Sequence, residues 1–325
     1  MSAYLPSNVR VVAILIAALA SVLVGGYFAT HRFPLKAARL SAWSTLVLGT
    51  FGIEKLVAHE PSGLRMIALI AFALATMKVI VLVEERGNGL TLPTFGDWIA
   101  FAGAWLGMKP QLFVTRDRSA TSGAAALMRR GAAYALLGSA TLILARYTWA
   151  ATHSHLLATL LALPALSLSL HFGLCNLLAG AWRLRGVACS PLFRAPLHSQ
   201  NLSEFWARRW NLAFSEMAAT AVYRPLASRV GRAPALIAAF ALSGLLHEMA
   251  ISVPVRAGFG LPLLYFIIHG ALVLLERALS KAGHPLQGWL GRIWTFLWLA
   301  APLPILFHQP FLANVIWPLI GIVDR

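Results

Sequence analysis

The sequence predicts an all-α, polytopic integral membrane protein with about eight or nine transmembrane helices plus re-entrant or interfacial helices. Of its 325 residues 59% are hydrophobic and only 12% are charged, and the mean hydropathy is +0.72. Long apolar runs recur from one end of the chain to the other, and about 20 apolar residues suffice to cross a bilayer as a helix. Because only short polar links separate these runs, we predict a single integral-membrane domain over residues 1–325.

The apolar runs define the candidate spans 9–29, 41–58, 64–83, 131–149, 156–182, 234–254, 261–276, 293–307 and 310–323. Two further segments, 97–108 and 211–223, are shorter or more polar, and we expect them to be re-entrant or interfacial. No clear cleavage signal accompanies the first run, so we expect a retained span rather than a signal peptide.

Basic residues cluster in the links and give the chain a net charge of +16. In a soluble protein this charge would favour nucleic-acid binding, but here it is typical of loops that stay in the cytoplasm. With nine spans the basic clusters all fall on one side, which we assign to the cytoplasm. Arginine outnumbers lysine 22 to 5 and alanine is abundant. This composition favours a GC-rich bacterial genome, and hence a bacterial inner membrane.

Two ionisable residues, His247 and Glu248, lie within the sixth candidate span. Counted from the cytoplasmic end at 234, His247 is about 13 residues or roughly 20 Å into a helix. Ionisable groups at this depth are costly, so they usually face a bundle interior or a water-filled cavity, where they act. A neutral imidazole suits general-base chemistry near neutral pH. The alternative is a packed histidine bonded to a nearby carbonyl, with Glu248 paired to an arginine.

A second unusual segment, NLSEFWARRWN, occupies residues 201–211. Asn201 three residues before Glu204 resembles a capping box, which predicts that a helix begins here. In that helix Glu204, Arg208 and Asn211 share one stripe, and Glu204 four residues before Arg208 predicts a salt bridge.

Two tryptophans, Trp206 and Trp210, flank the arginines of this segment as aromatic anchors do at a membrane interface. One interpretation is a basic, aromatic helix that lies on the cytoplasmic face. The other adds chemistry, with the arginines binding phosphates and Asn211 making a polar contact inside the core.

Together these segments resemble the membrane-bound O-acyltransferase superfamily, most closely its wax synthase branch. That branch carries a motif like EFWxRRWN, then VYxP, then a buried SGLxHE, and all three occur here in order at 204–211, 222–225 (VYRP) and 243–248 (SGLLHE). The resemblance covers about residues 100–248 and marks a motif-bearing core of about 100–255. Alanine at 207, where plant members usually have glycine, is a mild departure.

The resemblance implies that His247 is the catalytic base and that Asn211 is the second polar residue of the active site. It makes the remaining motif residues candidates for substrate binding or structural support: Glu204, Trp206, Arg208, Arg209, Trp210, Ser243 and Glu248. It also implies transfer of a fatty acyl group from acyl-CoA, bound from the cytosol, to a long-chain or other lipophilic alcohol in the bilayer. Acyl-CoA is a co-substrate, and we expect no cofactor, no metal and no nucleic-acid partner.

Three alternatives stay open at this point. The same chemistry would serve a sterol or another secondary-metabolite hydroxyl, with a short-chain donor in place of a long one. A proton-coupled membrane transporter would use His247 and Glu248 as a relay, although no inverted repeat is evident. A catalytically inert relative is disfavoured, because both key polar residues are intact.

Overall fold

The structure is a computed structural model that describes residues 2–322, and this part of the chain is helical and contains no β-strand. Its helices, with continuous runs joined, are α1 (Val9–Arg32), α2 (Leu35–Leu56), α3 (Ser62–Gly87), α4 (Phe95–Ala104), α5 (Gln111–Val114), α6 (Ala124–Thr152), α7 (His155–Leu184), α8 (202–209), α9 (212–230), α10 (Arg232–Val255), α11 (Leu261–Lys281), α12 (Gly288–Leu306) and α13 (309–320). Five of them contain a π-helical stretch: Ser167–Leu174, Phe205–Arg209, Ala219–Tyr223, Glu248–Ser252 and Leu312–Ile316.

Six of these helices, α1, α3, α7, α10, α11 and α12, are long and apolar enough to cross a membrane. The predicted class, an all-α integral membrane protein, is therefore confirmed. Helices α2 and α6 contain most of the predicted spans 41–58 and 131–149, but they fall outside the group of six. Helix α4 overlaps the segment 97–108 and is only ten residues long, while the re-entrant or interfacial placement of that segment stays a prediction.

Two predicted segments have different bounds in the structure, and proline lies within the first of them and just after the second. The ninth candidate span, 310–323, is a helical segment only over 309–320, where α, π and 3-10 turns follow one another. Twelve residues reach about 18 Å, well short of the hydrocarbon core, and residue 323 lies outside the described residues. The segment 211–223 instead continues past Pro225 to Val230, because a proline is tolerated at the start of a new α-helical turn.

Helix α3 lies at the centre of the bundle, and about two thirds of its most apolar stretch is buried within the protein. The buried apolar side chains form two clusters, one mainly around α1–α4 and the other mainly around α10–α13. The segment 201–211 contacts both clusters, because Trp210, just after α8, packs against the first and Trp206 of α8 packs against the second. The 201–211 segment is therefore part of the contact between the two halves of the bundle.

Candidate active site

His247 lies at the end of the α-helical part of α10, directly before the π-helical stretch Glu248–Ser252. Its Nδ1 is 2.7 Å from the carbonyl oxygen of Ser243, one turn earlier. Because a carbonyl oxygen only accepts hydrogen bonds, the neutral ring carries its proton on Nδ1 and presents a lone pair at Nε2. Nε2 makes no hydrogen bond to any residue that the structure describes. This is the tautomer that a general base requires.

The imidazole of His247 packs against the ring of Phe266 on α11, with 4.3 Å between the ring centroids. The histidine is only partly buried, whereas Phe266 is 2% exposed. The packed-histidine interpretation accounts for Nδ1 and for this ring contact. It leaves the unoccupied Nε2 without an explanation, and Nε2 is the atom that a reaction would use.

Glu248 pairs with no arginine among the described residues, which contradicts that part of the alternative interpretation. Its Oε1 accepts a hydrogen bond of 3.1 Å from the backbone N–H of Leu263, in the first turn of α11. Its Oε2 is buried without a partner among the described residues. A carboxylate is favourable at a helix N-terminus, where backbone N–H groups lack partners. Glu248 therefore holds α11, which carries Phe266, against α10.

The predicted helix start at Asn201 is confirmed. The Asn201 Oδ1 accepts a hydrogen bond of 2.7 Å from the backbone N–H of Glu204. The reciprocal bond differs by one residue, since the Glu204 Oε2 accepts from the N–H of Gln200 at 2.9 Å. Glu204 is thus a structural residue of this turn.

The predicted salt bridge between Glu204 and Arg208 is wrong, because the partner is Arg209. The Arg209 guanidinium lies 2.6 Å from the Glu204 carboxylate and also donates to the carbonyl oxygens of Arg194 and Ala195. In the π-helical stretch Phe205–Arg209 residues five apart lie over one another, so the register expected for an α-helix shifts by one. Arg208 is left exposed.

This ion pair affects the Glu204 carboxyl group. Partial burial raises the pKa of Glu204, but the hydrogen bond from Gln200 and the contact with Arg209 outweigh burial and lower it below its ordinary value. A lowered pKa in the folded state contributes stability above the unfolded pKa, and that stability is lost as the pH falls through the folded value. The pair accordingly supports the fold at neutral pH.

Replacement of Arg209 by alanine is expected to destabilise the protein by about 1–3 kcal/mol, because it leaves a half-buried carboxylate and two carbonyl oxygens without their donor. Replacement of the adjacent Arg208 by alanine is the matched control, with the same charge change at an exposed position, and should shift stability by less than about 0.5 kcal/mol. Thermal unfolding of the two variants in detergent at pH 7 checks this. Equal unfolding temperatures would contradict the assigned pairing.

Asn211 does not continue the stripe of Glu204 and Arg208, contrary to the prediction, because α8 ends at Arg209. Its backbone is left-handed, with φ 44° and ψ 59°, and its Oδ1 accepts a hydrogen bond of 3.3 Å from the N–H of Phe214. Asn211 is therefore the N-cap of α9. Asparagine tolerates the left-handed region better than most residues and is a preferred N-cap. Its Nδ2 donates to no described residue, and no hydrogen bond joins it to His247.

Trp206 and Trp210 point into different surroundings. The ring of Trp206 lies 5.5 Å from that of Phe266, so this tryptophan is close to the residue that packs on His247. The ring of Trp210 stacks on Phe205 at 5.5 Å and lies edge-on to His171 at 5.3 Å. Trp206 therefore belongs to the site around His247, while Trp210 is an aromatic packing residue next to Asn211.

A cavity of about 250 Å³ lies beside α8, α9, α10 and α11. Its lining residues are Ser203, Trp206, Ala207, Phe214, Ser215, Ala218, Ala219, Tyr223, Leu236, Ala239, Phe240, Ser243, Phe266, Val273 and Arg277. Ser243 and Phe266 both contact His247, so the cavity adjoins the histidine at that end. Tyr223 of the VYRP motif lines it as well. With a volume just under the usual 300–1,000 Å³ for bound organic molecules, the cavity suits a slender chain, and the hydroxyl-bearing lining residues Ser203, Ser215, Ser243 and Tyr223 allow it a few polar groups.

Two neighbouring residues near the end of α11, Glu276 and Arg277, belong to this region and were not singled out by sequence reasoning. The buried Glu276 carboxylate accepts hydrogen bonds from the N–H of Leu202, from the N–H and Oγ of Ser203, and from Trp294 Nε1, at 2.7–3.0 Å. It thereby fixes the start of α8 against α11. In the sequence the pair appears only as two charged residues at the end of a span. Nothing in the local sequence indicates that the acidic residue is buried.

Loss of this anchor is expected to weaken the fold strongly. Glu276→Ala leaves four donors without an acceptor, the one on Leu202 buried and the other three part-buried, and we expect a loss of about 3 kcal/mol or more. Arg277→Ala is the control on the next residue and, being exposed, should change stability little. Unfolding temperatures in detergent check this, and a Glu276→Ala variant as stable as the control would contradict the anchoring role.

This region of the chain is similar to a known protein family. The model of the membrane bound O-acyl transferase family matches residues 189–268, which include α8–α10 and His247. A long-chain-alcohol O-fatty-acyltransferase of Simmondsia chinensis is 31% identical over 106 residues, or 30% of each chain. Two probable long-chain-alcohol O-fatty-acyltransferases of Arabidopsis thaliana, numbers 6 and 2, are 30% identical over 139 residues and 32% identical over 107. These two alignments cover 37% and 30% of this chain, and 40% and 31% of the relatives. The chain therefore matches less than half of each relative's length.

Proposed function

We propose that this chain is a member of the membrane bound O-acyl transferase family and transfers a fatty acyl group from acyl-CoA to the hydroxyl of a lipophilic alcohol in the membrane. The observation that carries the proposal is His247, whose Nδ1 is bound to the Ser243 carbonyl and whose Nε2 has no partner among the described residues. Ser243 and Phe266, which both contact His247, line the mainly apolar cavity. The relatives named as long-chain-alcohol O-fatty-acyltransferases support the same acceptor class.

In the proposed reaction His247 acts as general base and then as general acid. Its Nε2 takes the proton of the acceptor hydroxyl as the oxygen attacks the thioester carbonyl carbon, and a tetrahedral oxyanion forms. When this intermediate collapses, the carbon–sulfur bond breaks and the CoA thiolate takes the proton back from His247. The products are an ester and CoA, and neither an acyl-enzyme nor a metal is needed.

Asn211 is assigned to the oxyanion in this mechanism. Its Nδ2 has no partner among the described residues, while its Oδ1 is held by the N–H of Phe214. A donor fixed in this way stabilises charge that develops in the transition state without the cost of reorganisation. The apolar surroundings also keep water from the thioester, which suppresses hydrolysis.

The same chemistry also suits other acceptors. These are a sterol or another secondary-metabolite hydroxyl, with a short-chain acyl donor. A proton-coupled transporter is supported less well. In such a protein Glu248 would form a relay with His247, yet its carboxylate is directed to the N-terminus of α11. We assign the protein to a bacterial inner membrane on the basis of its arginine-rich composition.

The test is ester formation by membranes that contain the full chain, with radiolabelled palmitoyl-CoA and hexadecanol as substrates and membranes from cells lacking the chain as the control. We expect a labelled wax ester that depends on both substrates. If no ester forms, the long-chain pair is excluded, and sterol acceptors and acetyl-CoA are tested in the same assay. No transfer with any of these donors and acceptors would overturn the proposed activity.

A further inference from the structure

The cavity beside His247 runs along one face of α11. Phe266, Val273 and Arg277 line it and are seven and four residues apart, which places them on the same stripe of the helix. Phe266 marks the end at His247, and Arg277, eleven residues further along, marks the other end. At 1.5 Å per residue these ends are about 16 Å apart. The cavity is therefore long relative to its width.

Arg277 differs from the other residues of this cavity in its charge. Among the described lining residues it is the only charged one, and none is acidic. Its side chain is exposed and makes no ion pair or hydrogen bond with a described residue, whereas the adjacent Glu276 is saturated with donors. An arginine without a carboxylate partner at the mouth of an apolar cavity is suited to an anionic group of a ligand.

Additional positive charge surrounds the same end of the bundle. The last part of α9 and the first residue of α10 carry three exposed arginines, Arg224, Arg229 and Arg232. The cavity-lining residue Leu236 follows one turn after Arg232 on α10. A ligand that enters from this side passes a strongly basic surface, which favours a polyanion over a neutral or cationic molecule.

We infer that Arg277 binds phosphate groups of the CoA donor at the mouth of this cavity, with the pantetheine arm extended along α11 toward His247. This inference rests on the proposed function and adds to it a specificity residue for the donor. The phosphates lie far from the reacting carbonyl, so Arg277 makes the same contact in the ground state and in the transition state. Such a contact changes affinity and KM but not kcat.

The test measures binding directly and does not require turnover. CoA and pantetheine, which lacks the phosphates, are titrated calorimetrically into the purified full chain in detergent. The variants are Arg277→Ala, Arg277→Lys and, as a matched control, Arg130→Ala, which removes an exposed arginine on α6 away from the cavity. A lost charge-assisted contact at an exposed position is expected to weaken CoA binding about tenfold in Arg277→Ala.

Binding of pantetheine should be the same in Arg277→Ala as in the wild type, Arg277→Lys should recover part of the CoA affinity, and Arg130→Ala should leave it within twofold. Equal weakening of CoA and pantetheine would mean that Arg277 only shapes the cavity, and this would overturn the inference. Unchanged CoA binding in Arg277→Ala, or no CoA binding by the wild type, would overturn it too. Ester formation that persists in Arg277→Ala with unchanged KM would leave the proposed function intact while removing Arg277 from donor recognition.

Discussion

His247→Gln is expected to lower ester formation by about 10²–10⁴-fold with little loss of stability. Glutamine is close to histidine in length, and its flexible side chain can bring an amide N–H to the Ser243 carbonyl, although this nitrogen lies one bond further from Cβ than Nδ1 of the imidazole. It has no basic nitrogen, so it cannot take the hydroxyl proton. The initial rate with palmitoyl-CoA and hexadecanol, together with the unfolding temperature in detergent, checks this expectation.

His247→Ala provides a second measurement of the same role. This variant also removes the ring that packs on Phe266, and it opens space in which added imidazole can bind. Partial recovery of ester formation by imidazole, with a dependence on the fraction of neutral imidazole, would identify the missing group as a base. More than about a tenth of the wild-type rate in His247→Gln would show that proton transfer does not depend on this residue.

The helical membrane fold could be predicted because it depends on a property summed over many residues. Apolar runs of about 20 residues are unambiguous evidence for helices in a bilayer, where every backbone group needs an internal partner. The run 310–323 was predicted to be a full span because it is as apolar as the other spans. Two prolines, Pro310 and Pro318, interrupt its helical hydrogen bonds and shorten it. Composition identifies an apolar segment, but local backbone chemistry decides its length as a helix.

The site could be predicted only in part, for a reason that lies in the backbone. The helix start at Asn201 was predictable because an N-cap is a local pattern of side chain and backbone. The pairing of Glu204 with Arg209 rather than Arg208 could not be predicted. It depends on a π-helical stretch for which the sequence of the segment gives no signal. The same holds for Glu248, which follows the start of another π-helical stretch and is directed to Leu263.

Contacts between residues far apart in the sequence also could not be predicted. Glu276 lies more than 70 residues from Leu202, and nothing in its local sequence indicates that it anchors α8. Its carboxylate accepts from four neutral donors rather than from a cation, which a search for opposite charges would miss. The same arrangement explains why Arg277 has no ion pair with the neighbouring Glu276, whose carboxylate already accepts four hydrogen bonds.

Asn211→Asp is expected to lower kcat by about 10²–10³-fold while the protein stays as stable as the wild type. Aspartate keeps an oxygen that can accept from the Phe214 N–H, and it is an equally good N-cap. It loses the Nδ2 donor and places a negative charge where the oxyanion would form. The variant therefore separates the two roles of Asn211, since it preserves the structural one and abolishes the catalytic one.

Asn211→Gly is the complementary variant. Glycine adopts the left-handed backbone at position 211 without strain and costs only a few tenths of a kcal/mol as a replacement N-cap. Alanine is a poorer choice, because a Cβ in the left-handed region adds roughly 1–2 kcal/mol of strain that would be mistaken for a loss of function. Both Asp and Gly variants should lose activity if Nδ2 stabilises the oxyanion. If Asn211→Asp instead retains the wild-type kcat, Asn211 serves only to begin α9, and the oxyanion must be stabilised by another donor.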